Sequence, residues 1–443
     1  MLPSSHGPVV TACIIGVGNR GSLYANFAIK NPHLLRIVGV ASPTEFRRFN
    51  LAKRHNISSE NIFSNWRELS MRPRIADSVI ISNLDSKNYH SALAFIKSGY
   101  HVLLENPPSL TLSECLKVVN AAIQHNVIFM VGHPERYSAY NRTMKRMIDS
   151  GAIGEVMSIQ HMEPIGFHHF RPSFPTVSHG GLKKRESTLS LMSKNIHDID
   201  LISWFMGTRC RRVSSFGSLY HVYKRKNFQI RLSARCRQCP HEQECCVSAQ
   251  QMYLENSPWS DRSRIASPVY SPIEEIENLV SPYDCKDDAS DSEAGDSCDN
   301  QIINMEFDGG KTCNFTMVAC TESLCERKTR IFGTLGELEA DGHVVRHFDF
   351  LTRRSEIIRP ERDDEHEDDP SSNGDYGVIR FFLECVTVYS TEGRVFCESQ
   401  DVLENQLYVF AAEHARNTGS VINIDDYRHS SIGDADNLMD LDA

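Results

Sequence analysis

The chain has 443 residues, enough for two hydrophobic cores, and its 40% hydrophobic and 23% charged content excludes a fibrous, disordered or membrane-embedded class. The net charge of −10 is concentrated in residues 284–299 and 361–369, each with seven acids against one base, so the remainder is near neutral and offers no basic stripe for nucleic acid or anionic lipid. Fourteen cysteines spread over this length, with no secretory leader ahead of them, point to a reducing, cytoplasmic setting, and no apolar run reaches the roughly 18 residues of a membrane span.

From residue 8 to 133 short apolar runs alternate with amphipathic stretches, the pattern of βαβ units. VVTACIIGV (9–17), LRIVGVA (35–41), DSVIIS (77–82), HVLLE (101–105) and VIFMVGH (127–133) read as buried parallel strands. YHSALAFIKSG (89–99) and LSECLKVVNAAIQHN (112–126) read as helices between them. The expected fold of this part is α/β, a doubly wound Rossmann sheet. Its first strand runs into Gly16, Val17, Gly18, Asn19, Arg20 and Gly21 and then a helix. In that context Gly16 serves a tight turn, Gly18 lets backbone approach a pyrophosphate, and Gly21 allows close helix–sheet packing. The candidate dinucleotide site comprises Gly16, Gly18, Arg20 and Gly21. At the end of the second strand Ser42 stands where an acid would accept a ribose 2′-hydroxyl, and Arg47 and Arg48 follow. This favours NADP(H) over NAD(H), although Glu45 opposes it.

Residues 134–427 read as an α+β domain built on one large, mostly antiparallel open sheet. A helix (138–151) leads into strands near 155–162, 211–221, 328–333 and 336–348. INMEFDGGKTCNFTMVA (303–319) has two alternating runs around Asp-Gly-Gly, the signature of a hairpin. Helices follow at 377–390 and 402–419. The acidic segments 284–300 and 361–372 read as solvated loops, and 428–443 as a disordered tail.

Several segments together resemble the glucose-fructose oxidoreductase, inositol dehydrogenase and rhizopine catabolism (Gfo/Idh/MocA) family. They are the glycine turn, HVLLENPPSLTLSE (101–114), GHPERYSAYNRTMKRMIDSGAIGEV (132–156), NIHDIDLISWFMG (195–207), RIFGTLGELEADG (330–342), GDYGVIRFFLECV (374–386) and LYVFAAEHARNTGSVINI (407–424). The resemblance implies a Rossmann domain followed by an open-sheet domain, and NAD(P)-linked oxidation of a hydroxyl on a sugar, polyol or related small molecule. It implies two active positions, the lysine of a Glu-Lys-Pro tripeptide and a histidine on a helix of the second domain. The tripeptide here reads Glu105, Asn106, Pro107. An asparagine amide can hydrogen-bond a hydroxyl or a ribose but cannot carry charge or exchange a proton near neutral pH. The histidine is retained as His197, with Lys194 three residues before it and Ser193 where an acid is often found.

The expected active set is therefore His197 as proton acceptor, Lys194 polarising the same oxygen, and Glu105 and Asn106 beside the nicotinamide. Glu163-Pro164 and His169 resemble a related branch in which substrate contacts would lie. The alternative reading is a dinucleotide-binding pseudoenzyme, a sensor or scaffold, that lost its lysine at Asn106. Cys236, Cys239, Cys245 and Cys246 have partial zinc-ligand spacing, but reduced thiols are favoured over a structural zinc and no catalytic metal is expected. The partner expected is a small molecule, with a homo-oligomer through the large sheet as the family often forms.

Overall fold

The computed structural model describes residues 8–83, 85–166, 191, 195–218, 220, 243, 298–322, 326–360, 373–392 and 399–439. Its first sheet comprises β1 (Val10–Ile15), β2 (Leu35–Ala41), β3 (Ile62–Phe63), β4 (Ser78–Ile81), β5 (His101–Leu104) and β6 (Phe129–Val131). All pairings are parallel, in the order β3-β2-β1-β4-β5-β6. The central strands are buried on both faces, which is why they read as continuous apolar runs. Ile14, Ile80 and Leu103 enter one core, and their neighbours Ile15, Ile81 and Leu104 enter the core on the opposite face. The two-residue β3 is too short to leave a periodic trace, and the sequence reading passed over it.

Helices α1 (Asn19–Lys30) and α2 (Glu45–Arg54) contribute to the first core, while α3 (Trp66–Ser70), α4 (Asp85–Lys97) and α5 (Leu112–Gln124) contribute to the second. A short 3-10 turn (Pro134–Tyr137) then leads to α6 (Ala139–Asp149), whose start is capped by the Ser138 hydroxyl accepting from the Asn141 amide.

The second sheet holds nine strands among the described residues. They are β7 (Val156–Gly166), β8 (Cys210–Ser218), β9 (Asn300–Phe307), β10 (Thr312–Thr321), β11 (Lys328–Gly333), β12 (Gly336–Ala340), β13 (Val345–Asp349), β14 (Arg354–Ile358) and β15 (Ile422–Asn423). Their order is β14-β13-β12-β11-β7-β10-β9-β8-β15, antiparallel except for the parallel pair β7 and β10. The expected hairpin is β9–β10, turning at Asp308, Gly309 and Gly310. The run 336–348 is not one strand: it breaks at Asp341–Gly342, where Gly342 takes φ +102°, and returns as β13.

The remaining helices are α7 (Ile196–Met206), α8 (Asn373–Glu392), α9 (Ser399–Thr418) and α10 (Ile424–Met439). The second-sheet core takes in buried side chains of α7 and α9, whereas Met157, Phe216 and Ile302 are exposed on β7, β8 and β9. Two further findings differ from the sequence reading. Residues 428–439, expected as a disordered tail, continue α10. Helix α8 belongs with the first sheet: Tyr376, Val378, Ile379, Phe382 and Val386 join the core of β1 and α1. Amphipathic spacing shows that a helix has an apolar face but not which surface that face covers. Of the segments expected as solvated loops, 284–297 and 361–372 lie outside the described residues, whereas the end of the first does not fit that expectation: Cys298 and Asp299 are buried and Asn300 begins β9. No helix among those described is long and apolar enough to cross a membrane.

Phe382 is fully buried in this shared core. Its replacement by alanine should cost about 3–5 kcal/mol in urea unfolding. Amide exchange should accelerate first in β1 and β4; acceleration confined to β7–β14 would contradict the packing of α8.

Candidate functional site

Strands β1 and β4 are neighbours from which the chain departs to opposite sides, so a crevice opens beyond their carboxyl ends. Gly16 stands there at φ +87°, and a Cβ on it would lie 2.4 Å from the Ser82 carbonyl oxygen. A Cβ on Gly21 would lie 2.1 Å from the Gly16 oxygen. Gly18 is different, because nothing lies within 4 Å of a Cβ built there. It is the N-cap of α1, and no side chain caps that helix. The positive end of a 12-residue helix thus has no side-chain cap and begins at a residue with open space beside it. The turn is fixed from below: the Gly16 amide donates to Ala41 O at 2.8 Å, and the Ser82 hydroxyl donates to Gly16 O at 2.7 Å. This cradle has the shape and polarity a pyrophosphate requires.

At the end of β2, Ser42 is buried and its amide donates to Phe63 O at 3.2 Å. Arg48 donates to the carbonyls of Ser42 and Pro43 at 3.3 and 3.2 Å, which pins its guanidinium beside the strand end. Arg47 is half-buried on α2, and Glu45 is mostly exposed, 3.9 Å from Arg48.

Arg20 does not have a free charge to offer a cofactor. Its guanidinium donates to Glu105 Oε1 at 3.0 Å through Nε and to the Tyr24 hydroxyl at 2.9 Å, and pairs with Asp375 at 2.7 Å. Tyr24 in turn donates to the same Glu105 oxygen. These carboxylates outweigh burial and hold Arg20 charged, while burial pushes the Asp375 carboxyl up to about 6. Glu105 therefore acts as a buttress under the next residue. Asn88 of α4 clamps the same turn, donating to the carbonyls of Glu105 and Pro107 at 3.3 and 2.8 Å. Between these supports, both amide atoms of Asn106 are buried and have no hydrogen-bond partner among the described residues. Unmet buried polar atoms at a crevice are atoms that a ligand can satisfy.

His197, in the first turn of α7, is brought to this edge by His133, which ends the β6 segment; their Nδ1 atoms are 3.2 Å apart. Burial and the nearby Arg327 push His197 down to about 3, and burial lowers His133 as well, so both rings are neutral at neutral pH. Neighbouring residues on α7 are tied down. Asp198 accepts from His161 Nε2 at 3.0 Å and from Arg327 at 2.6 Å, and its carboxyl is held below the usual range by Arg327 and His161. Asp200 accepts two bonds of 2.7 Å from Arg136 and one of 2.5 Å from Asn405, and is likewise lowered by Arg136. Arg327 also meets Glu163 at 3.2 Å and Glu135 at 2.9 Å, so Glu163 belongs to this buried network.

Lys194, Ser193, His169 and the cysteines 236, 239, 245 and 246 lie outside the described residues. Within the described residues no group of three or more His, Cys, Asp or Glu side chains could hold a metal. Sequence reasoning passed over Tyr24, Asn88, His133, Arg327 and Asp375. Only His133 had a usable signal, its place at the carboxyl end of a buried parallel strand; the others are joined to the site by contacts distant in sequence.

The neutral histidines have a consequence for stability. An unfolded histidine takes a proton as pH falls below about 6.5, whereas His101 and His197 refuse it until about 4 and 3. Stability is therefore full above that range and falls as pH drops toward 4. His197→Gln should flatten the fall by up to about 1.4 kcal/mol per pH unit. Urea midpoints between pH 7 and 4.5 measure it; parallel curves would show that His197 takes up its proton in the folded state as readily as in the unfolded chain.

Residues 10–133 match the model of the GFO/IDH/MocA oxidoreductase family with an NAD-binding Rossmann fold, and residues 141–236 match the GFO/IDH/MocA C-terminal domain. The chain is 29% identical over 132 residues to inositol 2-dehydrogenase 2 of Saccharopolyspora erythraea, covering 30% of this chain and 35% of that one. It is 25% identical over 278 residues to the putative oxidoreductase YteT of Bacillus subtilis, covering 61% of each. The chain thus spans between about a third and three fifths of the length of these relatives. Among solved structures, an oxidoreductase from Agrobacterium radiobacter in complex with NAD+, L-tartaric acid and magnesium superposes with a TM-score of 0.67 at 15% identity, covering 94% of this chain and 99% of that one. Scyllo-inositol dehydrogenase from Lactobacillus casei with bound NAD(H) and scyllo-inositol superposes at 0.60, also at 15% identity and with the same coverage. With a six-stranded parallel sheet, an open cradle after β1 and a second sheet behind it, the chain belongs to the GFO/IDH/MocA oxidoreductase family.

Proposed function

We propose that the protein is an NAD(P)-dependent oxidoreductase that moves a hydride between the nicotinamide and a CH–OH carbon of a sugar, polyol or related small molecule. The observation that carries this reading is the 3.2 Å contact between His133 and His197, which sets a histidine of the second domain at the carboxyl edge of the dinucleotide-binding sheet. The names of the inositol dehydrogenases it is similar to support the substrate class.

When bound, the nicotinamide supplies the hydride chemistry. The uncapped amides after Gly18 hold the pyrophosphate, and Gly16 and Gly21 keep the turn tight enough for it to approach. Ser42, with Arg47 and Arg48 beyond it, presents a hydroxyl and cations in place of a carboxylate, an arrangement suited to a 2′-phosphate and hence to NADP(H) over NAD(H). Asn106 donates and accepts hydrogen bonds at the reacting end, held there by the Glu105 and Asn88 supports. It orients but cannot titrate, so proton transfer falls to His197, which is neutral and able to accept the hydroxyl proton as hydride departs. Lys194 enters this reading from its sequence spacing alone, as a cation beside the same oxygen.

The test is purified protein with NADP+ or NAD+ and a panel of polyols, inositols and sugars, followed by nicotinamide absorbance. His197→Ala should lower kcat about 10²–10⁴-fold; unchanged turnover would remove it as the acceptor. Joint replacement of Arg47 and Arg48 by alanine should weaken NADP+ more than NAD+, and equal weakening would overturn the cofactor preference. Binding without turnover in the native protein, together with activity gained by Asn106→Lys, would refute the enzyme itself.

A further inference from the structure

His133 and His197 meet edge to face, with ring centroids 5.3 Å apart, planes at 78° and Nδ1 to Nδ1 at 3.2 Å. Two like atoms at this distance form a hydrogen bond only if one carries the proton and the other the lone pair. Two neutral rings in this contact are therefore in opposite tautomers. In one arrangement His133 donates, leaving His197 protonated on Nε2 and unable to accept anything there. In the other His197 donates from Nδ1, and its Nε2 lone pair is bare.

The charges around the pair are mixed: the carboxylates of Asp200 and Glu105 act on His133 against Arg136, and those of Asp198 and Asp200 act on His197 against Arg327. What separates the two states is the role of His197, because a nitrogen that takes a proton from substrate must carry none beforehand. A protonated His197 also needs an acceptor for its Nδ1–H, and only the second arrangement supplies one.

We propose that His133 is a positioning residue: its Nδ1 accepts the Nδ1–H of His197 and so holds His197 in the tautomer whose Nε2 takes the substrate's hydroxyl proton. This rests on His197 being the proton acceptor of the proposed reaction. During oxidation the substrate O–H bond breaks and an Nε2–H bond forms on His197, while the hydride leaves carbon for the nicotinamide. His197 becomes an imidazolium whose second proton stays on Nδ1, hydrogen-bonded to His133. Return of the Nε2 proton to water or to product restores the pair. The neutral ring of His133 thereby does what an orienting carboxylate does beside other catalytic histidines.

The test uses the full chain labelled with [15N]histidine, with and without NADP+, and reads ring-nitrogen shifts, His197 being assigned from the spectrum of His197→Gln. The expected native spectrum has a protonated Nδ1 and an unprotonated Nε2 on His197. His133→Asn, whose amide oxygen still accepts, should keep that pattern; His133→Phe should shift His197 toward Nε2–H. In turnover, His133→Phe should lower kcat about 10–100-fold with KM little changed, and His133→Asn should recover most of it. A native His197 with a proton on Nε2 overturns the proposal, whether or not either variant folds. So does His133→Phe with tautomer and kcat unchanged. If no substrate turns over, the ring-nitrogen spectrum still decides the pairing, and that failure falls on the oxidoreductase reading alone.

Discussion

A guanidinium partly withdrawn from water must be met by carboxylates, and Arg20 is where this requirement organises the molecule. It projects from the first turn of α1, takes Glu105 from the end of β5 and Asp375 from the start of α8, and shares the Glu105 oxygen with Tyr24. Three distant stretches of chain are thereby held at one corner of the first sheet. The carboxylates are 15% and 9% exposed and Arg20 is 35% exposed, so solvent screens part of the pairing and the loss of one partner costs less than the roughly 3–5 kcal/mol of a fully buried pair. That hold reaches the site through one covalent step, because Glu105 precedes Asn106.

On the facing side a second set of buried charges does the same for α7. Asp198 is bound by His161 and Arg327, and Asp200 by Arg136 and Asn405, which fixes the helical turn that carries His197. The same burial that gives precision makes His197 a weak base, pushed down to about 3. Asp198 and Asp200 act against that shift and are the groups that compensate an imidazolium when one forms. The site therefore combines a rigid frame with a proton acceptor whose basicity depends on what its neighbours do to it.

Much of this was legible in the residues. Strands buried on both faces leave unbroken apolar runs, and β1, β2, β4, β5 and β6 are legible from them; the glycine turn marks the candidate dinucleotide cradle by its place between strand and helix. What escaped was direction. Spacing marks Arg20 as part of a phosphate motif but cannot tell that its side chain turns back to Glu105 and Asp375. Periodicity finds the helix α8 but not the sheet it covers, and nothing near Arg327 announces that it will join β7, α7 and the turn at Glu135. Long-range pairing of single charged residues leaves no local trace, and in this fold such pairs set the geometry of the site.

The placement of α8 also bears on how the chain is made. The six strands of the nucleotide-binding sheet are synthesised by residue 131, yet the helix that joins their first core begins only at residue 373. At roughly 5–20 residues per second the interval is on the order of ten seconds to a minute. Throughout it the flank around Ile14, Ile80 and Leu103 has only α1 and α2 to cover it. The order of the elements thus leaves this core incomplete until most of the chain has been made.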